Sequence, residues 1–152
     1  MSSMRRTYVR PSRFSTKAVL RGRRVRSGQG LTYYQVVLSW HFNRGDGECV
    51  LSEVKVDVEI TITLPRWPGV TRVPEVERLR WHEIRHRIEQ HEYTHRDFTV
   101  EMAKELISEL RALRARTCGA LDRAAQRALA LSGAALRERH AAFDAVDGRG
   151  RN

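Results

Sequence analysis

The segment from His82 to His95 reads HEIRHRIEQHEYTH and contains the pattern H-E-x-x-H twice, at His82–His86 and again at His91–His95. On a helix, two histidines four residues apart lie one turn apart on one face, so both imidazoles can reach a single Zn²⁺. The glutamate after the first histidine then lies beside the metal's water and serves as general base, the chemistry of zinc peptidases. Five-residue patterns also arise by chance in a tract this rich in histidine and glutamate. Two buried neutral histidines bonded to carbonyls would give the same letters.

Helical phase separates the two copies. With His91 set at zero and about 100° per residue, Ile84, His95 and Met102 fall within roughly 40°, Phe98 lies just to the other side, and Ile88 and Leu106 lie about 60° away. These residues form one apolar stripe, which must face a core. His82 falls about 180° from His91 and His86 about 140° away, among Glu83, Arg85, Arg87 and Glu89. Only His91 and His95 therefore face where further ligands can come from. Glu92 is the candidate general base.

A helix carrying this tract runs from Pro74, favourable at a helix start, to about Arg114, with Glu75 and Glu77 near the positive N-terminal dipole. Before it lie two period-two runs. Tyr34, Val36, Leu38, Trp40 and Phe42 share one face of the first strand. Val54, Val56, Val58, Ile60, Ile62 and Leu64 share one face of the second. Asn43–Glu48, with two glycines, turns between them, so the two strands make an antiparallel hairpin with one apolar side. The second run is long for one strand, which predicts a bend or bulge within it. Pro65 and Pro68, bracketing Trp67, end the sheet. Thr117–Gly119 breaks the first helix. A second helix runs from about Ala120 to Ala145, with Leu121, Ala125, Ala128, Ser132, Leu136 and Phe143 on one face and Asp147–Asn152 as a loop. The expected architecture is α+β: a curved antiparallel β-sheet packed on two long antiparallel helices.

At 152 residues, 41% hydrophobic and 30% charged, the chain has the size of a single domain with a real core. No apolar run reaches the length of a membrane span. The net charge of +10 is uneven. Ten basic side chains and no acid occupy residues 1–45, and the remaining 18 basic residues balance 18 acids. Residues 1–30 are expected to be a largely irregular basic arm, with a short strand near Arg6–Val9, and residues 31–150 a single domain. Residues 5–26 are a candidate contact for an anionic partner, against the reading of a solvated lead segment. Ala18–Leu20 is too short for a secretory apolar segment. On that ground the protein is expected to stay inside unless a signal segment lies upstream. Cys49 and Cys118 form no C-x-x-C; they are two buried thiols or one long-range disulfide.

Several of these features together resemble a bacterial family of predicted secreted zinc-dependent proteases, domain of unknown function 922. They are Cys49 before the alternating strand, ITITLPRW at residues 60–67 with Pro65 within it, the second H-E-x-x-H, Cys118, and Phe143–Asp144 near the end. The resemblance covers roughly residues 31–150. It implies a zincin-like fold, a peptidase acting on peptide or protein substrates through Zn²⁺, His91, Glu92 and His95 at the family's motif, a Cys49–Cys118 disulfide, and a secreted or periplasmic setting. The family's closing pattern is Y-D-x-x-T-x-H-G, whose histidine would be a third ligand. Here Arg149 stands at that place, and arginine cannot ligate a metal. Asp147, nearest in sequence, is the expected substitute, with His140 and Asp144 as alternatives. The rival expectation is a catalytically impaired relative that keeps the fold as a binding or structural module.

Overall fold

A computed structural model describes residues 16–21, 25–27 and 30–149, with side chains described over 30–147. In chain order the elements are β1 (Thr16–Arg21), β2 (Val25–Ser27), β3 (Gly30–Gly45), β4 (Glu48–Thr63), a 3-10 turn (Val70–Arg72), α1 (Glu75–Ala112), β5 (Arg114–Ala115) and α2 (Cys118–Arg149). The described strands form one antiparallel sheet in the order β1-β3-β4-β5, with β2 also on β3. The fold is α+β, as the periodicity predicts.

The β3–β4 hairpin is the frame. Its register runs from Leu31 opposite Thr63 to Gly45 opposite Glu48, around the turn at Asp46 and Gly47. Tyr34, Val36, Leu38 and Trp40 are buried on one face of β3. The expected bulge is present. Ser39 pairs Lys55 and His41 pairs Ser52, so Glu53 and Val54 together oppose Trp40. Glu53 takes a φ of 48°, the left-handed conformation in which a side chain is disfavoured. One extra residue changes the parity of β4, so Cys49 and Leu51 before the bulge and Val54, Ile60, Ile62 and Leu64 beyond it all face the core.

Two expectations about the chain need correction. Within the segment expected to be largely irregular over residues 1–30, the described residues form two strands: β1 pairs β3 from Thr16 opposite Trp40 to Arg21 opposite Gln35, and β2 pairs β3 at Val25–Ser27. Basic residues break the apolar pattern there, but backbone pairing to a long neighbouring strand does not require one. The strand expected near Arg6–Val9, and much of the arm expected to meet an anionic partner, lie outside the described residues. The loop expected from Asp147 is the last turn of α2, which continues to Arg149. Phe42, expected in the core, is 38% exposed, because it lies past the bulge near the hairpin tip.

The helix ends follow local chemistry. Thr117 Oγ1 accepts a hydrogen bond from Ala120 N, capping α2, so the expected break is the start of the next helix. β5 pairs with Cys49 and Val50 of β4. Beside it Cys49 and Cys118 form a disulfide across 69 residues. Met102, Ala103, Leu106 and Leu110 of α1 and Leu121, Ala125, Leu129 and Leu136 of α2 close the core over the sheet. No described helix is long and apolar enough to cross a membrane.

Candidate metal centre

The phase argument holds in three dimensions. His91 and His95 are buried at 6% and 0% exposure, with Glu92 at 0%. His82 and His86 of the first H-E-x-x-H are exposed, and His86 meets Glu89 at 3.9 Å. The buried pair faces the last turns of α2, and all three candidate donors there meet it in different ways.

Asp144 comes to the metal-facing side. Its Oδ1 lies 3.0 Å from His91 Nε2 and 3.0 Å from His95 Nε2, and the two Nε2 atoms are 3.1 Å apart. Three donor atoms so spaced lie a few tenths of an ångström inside the separation of about 3.3–3.6 Å expected between neighbouring ligands of a tetrahedral ion bound at about 2.0–2.2 Å, near enough for one ion to be shared by all three. Among the described residues His91, His95 and Asp144 form a group able to hold a metal ion.

Asp147 and His140 stand behind the histidines. Asp147 Oδ2 is 3.0 Å from His91 Nδ1, off the axis of a hydrogen bond. His140 Nδ1 is 2.8 Å from His95 Nδ1. His140 is 3% exposed. Burial, then the nearby His95, push its pKa down to about 4. A neutral His140 accepts from His95 Nδ1–H, which leaves the lone pair of His95 Nε2 for the shared centre. Burial likewise lowers His95, against the pull of Asp144. Phe143 stacks on His91 at 4.6 Å and meets His95 edge-on at 5.2 Å, so the rings are held from a third side.

The donor set asks for positive charge. His91 lies between Asp144 at one ring nitrogen and Asp147 at the other. With the proton on Nε2, His91 donates to Asp144. With the proton on Nδ1, the Nε2 lone pair faces the Asp144 oxygen, and a cation between them would make that contact favourable. The site residues therefore fit a divalent metal by spacing and by charge.

Glu92 faces the sheet. Its carboxylate accepts the Thr32 hydroxyl, and its Oε1 lies where a Cβ on Gly30 would stand 2.5 Å away. Strand β3 can approach α1 here because residue 30 has no side chain. Sequence reasoning missed Thr32 and Gly30, since no local pattern marks a contact spanning 60 residues. It also missed that His140, Asp144 and Asp147 are spaced i, i+4, i+7, one face of a helix. That signal was hidden by the expectation of a loop from Asp147 onward.

A model of the family described as "Bacterial protein of unknown function (DUF922)" matches residues 13–150. No curated protein matches the chain. No solved structure matches it.

Proposed function

Since the chain belongs to this bacterial family of unknown function, we propose that it is a zinc-dependent metallopeptidase with a His91–His95–Asp144 metal centre. The observation that carries the reading is the convergence of His91 Nε2, His95 Nε2 and Asp144 Oδ1 within 3.0–3.1 Å of one another. Bound there, Zn²⁺ would supply an acidified water and a Lewis acid for a peptide carbonyl. The chain's own residues do the rest. His140 fixes the His95 tautomer, Asp147 draws the His91 proton to Nδ1, and Phe143 locks both rings. Glu92 is the proton acceptor for the attacking water, with its carboxylate oriented by Thr32. Solvent reaches the cluster beside Asp144 and Asp147, whose side chains are 25% and 40% exposed.

A second reading has one observation in its favour. Glu92 has no solvent exposure and a hydroxyl already on its carboxylate. In that reading the metal is structural and the fold is a binding module. An anionic partner for residues 5–26 belongs to this alternative.

Two measurements decide. Metal analysis of the wild type against His91→Ala with His95→Ala should give near one equivalent of zinc and near zero, respectively. Equal, negligible content in both removes the site. Glu92→Gln should keep zinc and lose hydrolysis of an unfolded protein substrate. Wild-type zinc content without hydrolysis favours the structural reading.

A further inference from the structure

A second cleft lies where β4 leaves the sheet, apart from the histidine cluster. Pro65 and Pro68 have no backbone N–H to extend the strand pairing, so the chain turns away. Val70 N donates to Trp67 O at 3.3 Å and Arg72 N to Gly69 O at 3.0 Å, closing the 3-10 turn. This places Trp67 edge-on to Trp81 of α1, with ring centroids 5.8 Å apart and planes at 80°. A Cβ on Gly69 would stand 3.4 Å from Trp67 Nε1, so the indole lies close over the turn. The T-shaped contact is a favoured aromatic geometry. It fixes both indoles yet leaves each partly exposed.

The space enclosed is about 420 Å³, within the range of about 300–1,000 Å³ common for small-molecule sites. Arg66, Trp67, Trp81, His82 and Arg85 line it, and no lining residue is acidic. Among the described residues, neither arginine nor His82 forms an ion pair. The nearby Glu89 is engaged elsewhere, accepting from Tyr93 at 3.0 Å and facing His86. Unpaired guanidinium forks beside fixed indole rings have a defined chemical preference. The forks take carboxylate or phosphate, and the indoles take the flat face of a ring. An uncharged apolar ligand would leave the forks unsatisfied, and a cation would be repelled.

We infer that this cleft binds a small ring-bearing organic anion, its phosphate or carboxylate held by Arg66 and Arg85 and its ring by Trp67 and Trp81. Arg85 precedes His91 by six residues, about 9 Å along the helix axis, and points about 120° away from it. The cleft is thus separate from the metal centre. It also gives His82, of the non-metal H-E-x-x-H copy, a place in the molecule.

The test is a tryptophan fluorescence titration of the full chain, with the fully buried Trp40 as constant background. The probes are adenosine monophosphate (phosphate with a ring), glucuronate (carboxylate with a ring) and inorganic phosphate (charge alone). At least one ring-bearing probe should saturate, about tenfold or more tighter than phosphate, and the preferred probe identifies the charged group. Arg66→Ala with Arg85→Ala should weaken it about tenfold or more without moving the melting temperature. Arg85→Lys keeps the charge but not the fork and gives the same reading if the double variant misfolds. Absence of saturable binding, equal affinity for bare phosphate, or unchanged affinity in the arginine variants overturns the inference.

Discussion

Asp144 and Asp147 sit one turn apart yet act on opposite edges of the same imidazole, which separates their mutants. Asp144→Asn removes a charged donor from the centre, and zinc affinity should fall by several orders of magnitude. Asp147→Asn removes only the carboxylate behind His91. Competition with a chelator should show a loss of about 10–100-fold, with one equivalent still bound at saturation. Equal losses would mean that both carboxylates ligate. Acid behaviour follows from the two depressed histidines. In the unfolded chain His95 and His140 titrate near 6.5, whereas burial holds both lower in the fold, with His140 at about 4. Between those values the unfolded state binds more protons, so this stability is complete above pH 6.5 and is lost as pH falls towards 4. The gap for His140 corresponds to about 3 kcal/mol at about 1.36 kcal/mol per pH unit. Urea midpoints of metal-free protein at pH 7 and 4.5 should differ accordingly, and His140→Gln should flatten the difference. Of these residues the sequence made His91 and His95 legible, because a long amphipathic helix displays its own phase. The choice among His140, Asp144 and Asp147 was not legible while the last helical turn was taken for loop.

The long hairpin carries two further tests. Glu53 holds a left-handed φ in the bulge, a conformation costing a side chain about 1–2 kcal/mol. Glu53→Gly should raise stability by up to about 1 kcal/mol, since the weak His41–Glu53 contact at 3.4 Å is lost and the unfolded chain gains freedom. A fall in the urea midpoint would refute the strain. Gly30→Ala should act in the other direction. Its Cβ would meet Glu92 Oε1 at 2.5 Å and Ile88 Cγ2 at 2.8 Å, and overpacking of this kind costs about 1–3 kcal/mol. The hairpin, its faces and its bulge were legible from alternation and length alone. β1 and β2 were not, because strands of six and three residues, interrupted by Lys17, Arg21 and Arg26, are too short to show an alternation to read.

For the molecule as a unit, the disulfide and the proposed metal centre lie near the two ends of α2, about 39 Å apart along 26 helical residues. The disulfide closes a loop of 69 residues, worth about 4 kcal/mol in the chain-entropy account. Unfolding with and without reductant measures it. Zinc bound at the proposed centre would join residues 49 to 53 positions apart in sequence. At one hundred times its dissociation constant it should add about 2.7 kcal/mol. Calorimetry with zinc and with chelator should show that rise in the wild type and none in His91→Ala with His95→Ala. The pairing of Cys49 with Cys118 was legible only through family resemblance, since two distant cysteines carry no spacing signal.

The inserted residue of β4 leaves no mark beyond its own turn. Were Glu53 deleted, Val54 would pair Trp40 and Ser52 would still pair His41, so Cys49, Leu51 and Val54 would alternate inward without a break. Cys49 would keep its sulfur within reach of Cys118. A thiol-labelling reagent should count no reactive group on that deletion variant or on the parent. The pleat alone aims a sulfur atom across the molecule, and the strained glutamate is an insertion that the strand absorbs.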